Sequence, residues 1–529
     1  MDFSGAPRLM IVSDLDNTMV DHKDNHYSSL LRFGALWQAD YNHDSLLVYS
    51  TGRSPALYAK LRAEVPLLTP GITIMSVGTE IMYGPTMAPD LGWEEKLNQG
   101  WNREAIVEEG TKLNLKFQID SEQRPHKVSF YVDKDAAEGV IKTLMGRFEE
   151  HKMNAKIIYS GGVDLDVLPT GAGKGQALEY LMKKLKSEGR SPGKTLVCGD
   201  SGNDADLFTV PDVYGVIVGN AMEELLKWYS EYAGNKAHIY LAKVRCAAGI
   251  LEAMQHFDLQ PNVSPRDRPR AFQTLGGVTR LKLSNVAHEV VDYLLLVEHW
   301  LKADVDNTDI VFSRLKSSLV SDASYVHAYG IITNPYTEIE TLRELHGVKK
   351  STHYCIWVDR VRIEKLSDTL YLARFDKWEK SGNQYSCALT TALLQSRIDA
   401  VNGLQWKLIH ETWLTGREGS RPKLQAPKSE ASVQENPQSE ASLQETPQSE
   451  ASVQEAPRSE SATEGAPKSE EIIQETSKSE TPEQEGPTSE TLVQEAPKSE
   501  TPAQEAPKSE TVAKEITNPQ DPVEGAPEV

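Results

Sequence analysis

Asp14-Leu15-Asp16-Asn17-Thr18 sets two carboxylates two residues apart directly after an apolar run. On an extended backbone such a pair projects to one side, and at the carboxyl end of a parallel strand it stands at the usual mouth of such a sheet. Taken singly, the pair equally suits a loop or a helix cap. Tyr49-Ser50-Thr51-Gly52-Arg53 offers hydroxyls and backbone N–H groups of the kind that hold a phosphate oxygen, or that simply cap a helix. Gly171-Ala172-Gly173-Lys174-Gly175 opens a helix with a lysine, an unfavourable place unless negative charge lies beside it. Its glycine spacing, and Gly175 where Ser or Thr would be needed, exclude a nucleotide P-loop. Gly199-Asp200-Ser201-Gly202-Asn203-Asp204 brings two more carboxylates with small residues between them, which suits a hard divalent cation or an acidic turn.

Each segment follows or borders an element that could position it. Arg8–Ser13 is a short apolar, β-branched run of the kind found in buried strands, and similar runs recur at Leu46–Tyr49, Ile72–Val77, Lys127–Val132, Leu165–Leu168, Thr195–Cys198 and Val213–Val218. Helical stretches lie between several of them: over Gly175–Glu188, Ala177, Leu178, Leu181 and Leu185 recur at helical spacing. Alternating strand and helix predicts a doubly wound, mostly parallel α/β sheet. Prolines cluster over Leu259–Arg270, which reads as a linker. A long amphipathic helix is then expected at Asn285–Ala303, followed after Ser324 by alternating strands, hence a separate α+β domain.

The chain has 529 residues and a formal charge of −21. From Pro427 to Val529 there are 7 basic and 23 acidic residues, a balance of −16 that leaves only −5 for the remainder. That tail holds none of the 38 aromatic residues and repeats Ser-Glu every ten residues from Ser429 to Ser509. Such a segment cannot bury a core, and disorder is expected. No basic stripe marks a nucleic-acid partner, and no run of about 18 apolar residues marks a membrane span. The amino terminus lacks a basic region followed by a long apolar one, and the four cysteines have no CxxC spacing. A cytoplasmic protein without a disulfide framework or zinc site is the expectation.

Taken in order, the four segments resemble the haloacid dehalogenase superfamily of phosphatases. The resemblance implies that Asp14 is a nucleophile forming an aspartyl-phosphate, and that Asp16 is the acid for the leaving alcohol and then the base for water. Thr51, the N–H of Gly52 and Lys174 would hold the phosphoryl group. Mg²⁺ would be bound by Asp14, the backbone carbonyl of Asp16 and Asp200, with Asn203 and Asp204 orienting waters or Lys174. The 123 positions between Thr51 and Lys174 exceed one helix–strand unit by about the size of a small α/β cap. This places a Rossmann-like core at 1–82 and 164–258, an inserted cap at 83–163, a linker at 259–270, an α+β domain at 271–420 and the tail at 421–529.

Gly78-Thr79-Glu80-Ile81, His126–Val132, Asp164–Pro169 and His410-Glu411-Thr412-Trp413-Leu414 further resemble the plant sucrose-phosphatase family over roughly residues 7–420. That resemblance implies Mg²⁺-dependent hydrolysis of sucrose 6F-phosphate to sucrose and phosphate, and a nuclear-transport-factor-like fold for the carboxy-terminal domain. Glu80, Lys127, Asp164 and Asp166 are the candidate sugar contacts. Lys127 equally suits a cap surface, and the two aspartates a strand edge or turn. Arg53 suits either a substrate contact or a pair with a core carboxylate. Two alternatives stay open: a phosphatase for another sugar phosphate such as trehalose 6-phosphate, and an accessory subunit binding a sucrose-phosphate synthase. Contact with that synthase and a homodimer through the carboxy-terminal domain are the partner expectations besides the sugar phosphate itself.

Overall fold

The computed structural model describes residues 5–268 and 282–414. The acidic repeat tail and the residues just before the long helix lie outside them. An eight-stranded sheet forms the centre of the amino-terminal part, in the order Ile239–Leu241, Tyr214–Ile217, Lys194–Gly199, Leu9–Ser13, Leu46–Ser50, Ile72–Met75, Glu80–Tyr83, Ala88–Pro89. The first six run parallel and the last two antiparallel. All five residues of Leu9–Ser13 are buried, because helices cover both faces. One apolar cluster includes Leu9, Ile11, Tyr49 and Ile250, and the other Met10, Val12, Val48, Leu178 and Leu181. A strand buried on both faces needs apolar side chains at successive positions, which is why it reads as a continuous run.

From Leu9–Ser13 the chain winds outward to Ile72–Met75, then returns to the other side of Leu9–Ser13 at Lys194–Gly199 and winds the opposite way. Leu9–Ser13 therefore borders the reversal of strand order, and open α/β sheets place their ligand sites at the carboxyl ends of strands at such a point. Asp14, Thr51 and Asp200 each follow the last residue of one of three adjacent strands.

A four-stranded antiparallel sheet, ordered Lys116–Phe117, Val128–Tyr131, Asp164–Leu168, Lys156–Ser160, stands apart from the first. The helices Arg103–Lys112 and Lys134–Glu150 share its apolar cluster through Ile106, Ala137, Leu144 and Phe148. The boundaries differ from the sequence expectation at both ends. Ala88–Pro89 pairs in the large sheet, and Trp93 and Leu97 of the helix Leu91–Asn98 pack into the core cluster. At the other end, Asp164–Leu168, expected to belong to the core, is a strand of the small sheet. Its alternation explains this: Leu165 and Val167 fill the small sheet's apolar cluster, while Asp164 and Asp166 line a cavity on its other face.

Beyond Arg268, three helices (Leu283–Lys302, Asp309–Ser317, Pro335–Glu344) accompany a six-stranded sheet dominated by Tyr354–Lys365, Leu370–Ser381, Gln384–Ser396 and Leu404–Trp413. Helices packed on a sheet agree with the α+β expectation. Pro335–Glu344 interrupts the expected run of strands. Its signal is local: the Asn334 side chain accepts the N–H of Tyr336, and Pro335 occupies the first helical position. The domain is fastened to the core by the buried Asp359 carboxylate, which accepts from Gln38 and from both the N–H and hydroxyl of Thr69. Among the described residues no helix is long and apolar enough to cross a membrane.

Candidate active site

A cavity of about 360 Å³ opens between the carboxyl ends of the core strands and the four-stranded sheet. Asp14, Asp16, Gly52, Arg53, Asp200 and Asn203 line it from the core, and Lys127, Asp164 and Asp166 from the insert. Sequence spacing could not show that these residues share one space; the fold brings them together.

Lys174 lies at the base of this site, 1 % exposed. Its Nζ donates to Asp14 Oδ1 and to Asp204 Oδ1, both at 2.7 Å. The expectation that a helix-initial lysine needs negative charge beside it is met by these two carboxylates. Asp204 is fully committed, since its Oδ2 accepts the backbone N–H groups of Asp200 and Ser201 at 3.1 Å. Asp200 has one oxygen engaged by the Thr18 hydroxyl at 2.9 Å. Thr51 is fully buried, its hydroxyl accepting the N–H of Arg53 at 3.2 Å, so it shapes the loop that exposes Gly52 and Arg53 to the cavity.

Carboxylate oxygens of Asp14, Asp200 and Asp204 lie within 4.8 Å of one another. Burial pushes the carboxyls of Asp14 and Asp200 well up, because Lys174 alone does not balance the acidic charge gathered there. Hard oxygen donors with surplus negative charge fit a divalent cation of the Mg²⁺ kind. With both oxygens of Asp204 already taken by protein donors, Asp14 and Asp200, which line the cavity, are the side chains placed to hold it.

Asp16 is held differently. Arg53 grips both its oxygens, Nε to Oδ2 at 2.6 Å and an Nη to Oδ1 at 2.7 Å, and His22 Nε2 lies 2.7 Å from Oδ1. Although burial opposes it, the hydrogen bonds from His22 and Arg53 hold this carboxyl well below the usual range. Of the two readings open for Arg53, the structure shows the pair with a core carboxylate, on a side chain that also lines the cavity.

On the insert side, Lys127 is 1 % exposed and donates to Glu122 Oε2 at 2.9 Å, with Asp166 Oδ1 at 3.4 Å. Asp166 also accepts from Ser129 at 2.5 Å, and Asp164 from Gln118 at 2.9 Å. The surface-lysine reading of Lys127 is therefore incorrect: it is a buried ammonium between two carboxylates. Glu80, a candidate sugar contact, is absent from the cavity lining. Its carboxylate instead takes a two-pronged ion pair from Arg124 of the insert, at 2.7 and 2.9 Å, because strand pairing turns it toward the insert's Arg124–Lys127 turn.

Glu122, Gln118, His22 and Ser160 were not anticipated. Glu122 joins insert to core, accepting the N–H of Ser54 at 3.2 Å beside its pair with Lys127. Asn203 donates across the same seam to Ser160 at 3.3 Å. Only the nearness of His22 to Asp16 in the chain hinted at any of these contacts.

Two family models match the chain: Sucrose-6F-phosphate phosphohydrolase over residues 7–258 and Sucrose-6-phosphate phosphohydrolase C-terminal over residues 286–415. Sucrose-phosphatase 1 of Nicotiana tabacum is 51% identical over 423 residues, covering 79% of this chain and 97% of that protein. Probable sucrose-phosphatase 2 of Arabidopsis thaliana is 50% identical over 413 residues, covering 78% and 96%. Among solved structures, the sucrose-phosphatase from Synechocystis in complex with sucrose and phosphate is 33% identical, covering 48% of this chain and 98% of that one, with a TM-score of 0.43. Identity of this order, running through the α/β core and the carboxy-terminal domain alike, places the chain in the sucrose-phosphatase family, as a phosphoric monoester hydrolase.

Proposed function

We propose that the chain hydrolyses sucrose 6F-phosphate to sucrose and phosphate, with Asp14 as nucleophile and Mg²⁺ as cofactor. One observation carries the reading. A single cavity has Asp14, tied to Lys174 at 2.7 Å, at its core end, and Lys127, Asp164 and Asp166 at its insert end. Such a space suits a molecule with an anionic head and a hydroxyl-rich body.

Asp14 attacks phosphorus and the sugar oxygen leaves, so the phosphoryl group passes to the carboxylate. Water then attacks the aspartyl-phosphate and releases inorganic phosphate. Lys174 holds Asp14 in place and offsets its charge as the anionic substrate approaches, and the Gly52 N–H with the Thr51–Arg53 loop receives the phosphoryl oxygens. Asp16, kept ionised by Arg53 and His22 at rest, receives a proton from His22, at 2.7 Å, and passes it to the departing sugar oxygen, then takes one from the incoming water. Mg²⁺, held by Asp14, Asp200 and the Asp16 carbonyl, would neutralise charge between nucleophile and substrate. Asp204 keeps Lys174 and the loop after Asp200 in register, and Asn203 reaches Ser160 of the insert.

In this reading the insert is a cap. Sugar hydroxyls buried without partners cost about 1–3 kcal/mol each, so the polar set of Gln118, Glu122, Lys127, Asp164 and Asp166 selects the leaving group. A cytoplasmic setting goes with it: no disulfide joins the four cysteines, all of them buried.

A substrate series at fixed Mg²⁺ tests the assignment. Sucrose 6F-phosphate should be hydrolysed at least tenfold more efficiently than trehalose 6-phosphate or fructose 6-phosphate, and Asp14→Asn should remove turnover by a factor on the order of 10⁴. Equal efficiency on trehalose 6-phosphate would overturn the substrate, and retained turnover in Asp14→Asn would overturn the nucleophile.

A further inference from the structure

Ser76, Val77 and Gly78 form a turn in which three successive residues hold positive φ, at 53°, 57° and 84°. Left-handed backbone is unfavourable for any residue with a Cβ and most so for a β-branched one such as Val77, so surrounding contacts must hold the turn in place. Those contacts lead in three directions.

Toward the phosphate side, the N–H of Ser76 donates to the Arg53 carbonyl at 2.9 Å and the N–H of Val77 to the Thr51 carbonyl at 3.1 Å. The turn thereby sets the path of the loop carrying Thr51, Gly52 and Arg53. Toward the lysine, Gly78 lies so close to the 173–174 backbone that a Cβ on it would sit 2.2 Å from the Gly173 carbonyl carbon and 2.6 Å from the Lys174 nitrogen. Toward the insert, the Ser76 hydroxyl donates to Glu80 Oε1 at 2.7 Å, and that carboxylate is the one gripped by Arg124. Arg124 and Lys127 bracket a tight turn by exchanging backbone hydrogen bonds at 2.9 and 3.3 Å, so the cap residue that reaches the core and the ammonium in the cavity move as one unit.

From these contacts we propose that Ser76, Glu80 and Arg124 are positioning residues that couple seating of the cap to the geometry of the phosphate-binding loop. With the cap seated, Arg124 fixes Glu80, Glu80 fixes the Ser76 hydroxyl, and the strained turn presents the Thr51–Arg53 loop and the Lys174 backbone in their working positions. With the cap lifted, the turn loses the ion pair that anchors it and the loop relaxes. Phosphoryl binding is thus tighter with the insert seated than with it lifted, and a sugar that holds the insert seated favours hydrolysis of the sugar phosphate over other esters. The inference rests on the reading that this loop and Lys174 hold the phosphoryl group.

The test compares Ser76→Ala, Arg124→Gln and their double variant in the full chain, reading kcat, KM and the inhibition constant for inorganic phosphate. Ser76→Ala removes no group that lines the cavity and none on the cap, yet it should lower kcat about tenfold and weaken phosphate inhibition about fivefold, with KM within twofold. Arg124→Gln should do the same, and the double variant should be no worse than about twice the weaker single, because both act through one carboxylate. Phosphate inhibition within twofold of native in Ser76→Ala overturns the proposal. So does an Arg124→Gln whose only change is a higher KM, since that pair would then merely hold the cap. Should Ser76→Ala melt at assay temperature, Glu80→Gln, which keeps an acceptor for Ser76 but loses the charge facing Arg124, must show weakened phosphate inhibition for the proposal to stand. Run with p-nitrophenyl phosphate as the assayed ester, the phosphate comparison holds whatever the natural sugar, so a failed substrate assignment is distinguished from failed coupling.

Discussion

Lys174 Nζ donates to Asp14 Oδ1 at 2.7 Å across 160 positions of chain, and to Asp204 Oδ1 at the same distance. One ammonium, almost wholly buried, thus ties the strand that ends before Asp14 to the loop that follows Gly199. Lys174→Met should leave both carboxylates buried without their partner. Breaking a buried pair in this way costs about 3–5 kcal/mol, and urea denaturation should show a loss of that size together with loss of turnover. A loss under about 1 kcal/mol would mean that water or a cation already compensates the two acids.

The acidic cluster that Lys174 fails to balance makes divalent-cation dependence the next expectation. Chelation with EDTA should abolish hydrolysis, and Mg²⁺ should restore it. Ca²⁺, which accepts looser and larger coordination, should restore far less. Titration of the metal-free protein with Mg²⁺, followed calorimetrically, should give heat that disappears in Asp200→Asn. Unchanged binding in that variant would place the ion elsewhere.

His22 contacts Asp16 at 2.7 Å, and the Asp16 carboxylate draws the imidazole above its ordinary range. His22→Ala should lower kcat by about 10- to 100-fold, at the low end of what proton-transfer partners contribute, with little change in KM. A kcat within twofold of native would leave Arg53 as the sole group needed to orient Asp16.

Stability of the carboxy-terminal domain should depend on Arg266, which donates to both oxygens of the buried Glu298 at 3.1 and 3.0 Å while the N–H of Ile356 donates at 2.8 Å. Burial pushes the Glu298 carboxyl up, but Arg266 and the Ile356 N–H outweigh it and hold it below the usual range. A depressed carboxyl stabilises the fold above its unfolded pKa of about 4.3, and that contribution disappears as pH falls through the lower folded value. Arg266→Met should therefore cost about 3–5 kcal/mol at pH 7 and progressively less below about pH 4. Denaturation midpoints at several pH values check this, and a pH-independent difference would refute it.

The four motif segments and their strands were legible in the sequence for a local reason. A strand buried on both faces must be apolar at successive positions, so Leu9–Ser13 and Lys194–Gly199 announce themselves, and the polar residues that follow each one stand at a carboxyl end wherever the sheet closes. The helix beginning at Lys174 was legible from its periodicity, and the lysine's need for acidic neighbours from elementary electrostatics. Resemblance to known proteins then supplied the reaction. The sequence places Asp164–Leu168 with the core, whereas it pairs in the small sheet, since a short apolar stretch looks alike in a core strand and in a half-buried one. What only the tertiary structure decided is which charge meets which. Glu80 and Arg124, Lys127 and Glu122, Arg53 and Asp16 are each unremarkable in sequence; the first pair depends on how the insert meets the core, the other two on how loops fold within the insert and within the core. Ion pairing acts over a few ångströms regardless of distance along the chain, so it leaves no periodic trace in the sequence, whereas burial of strands and helices does.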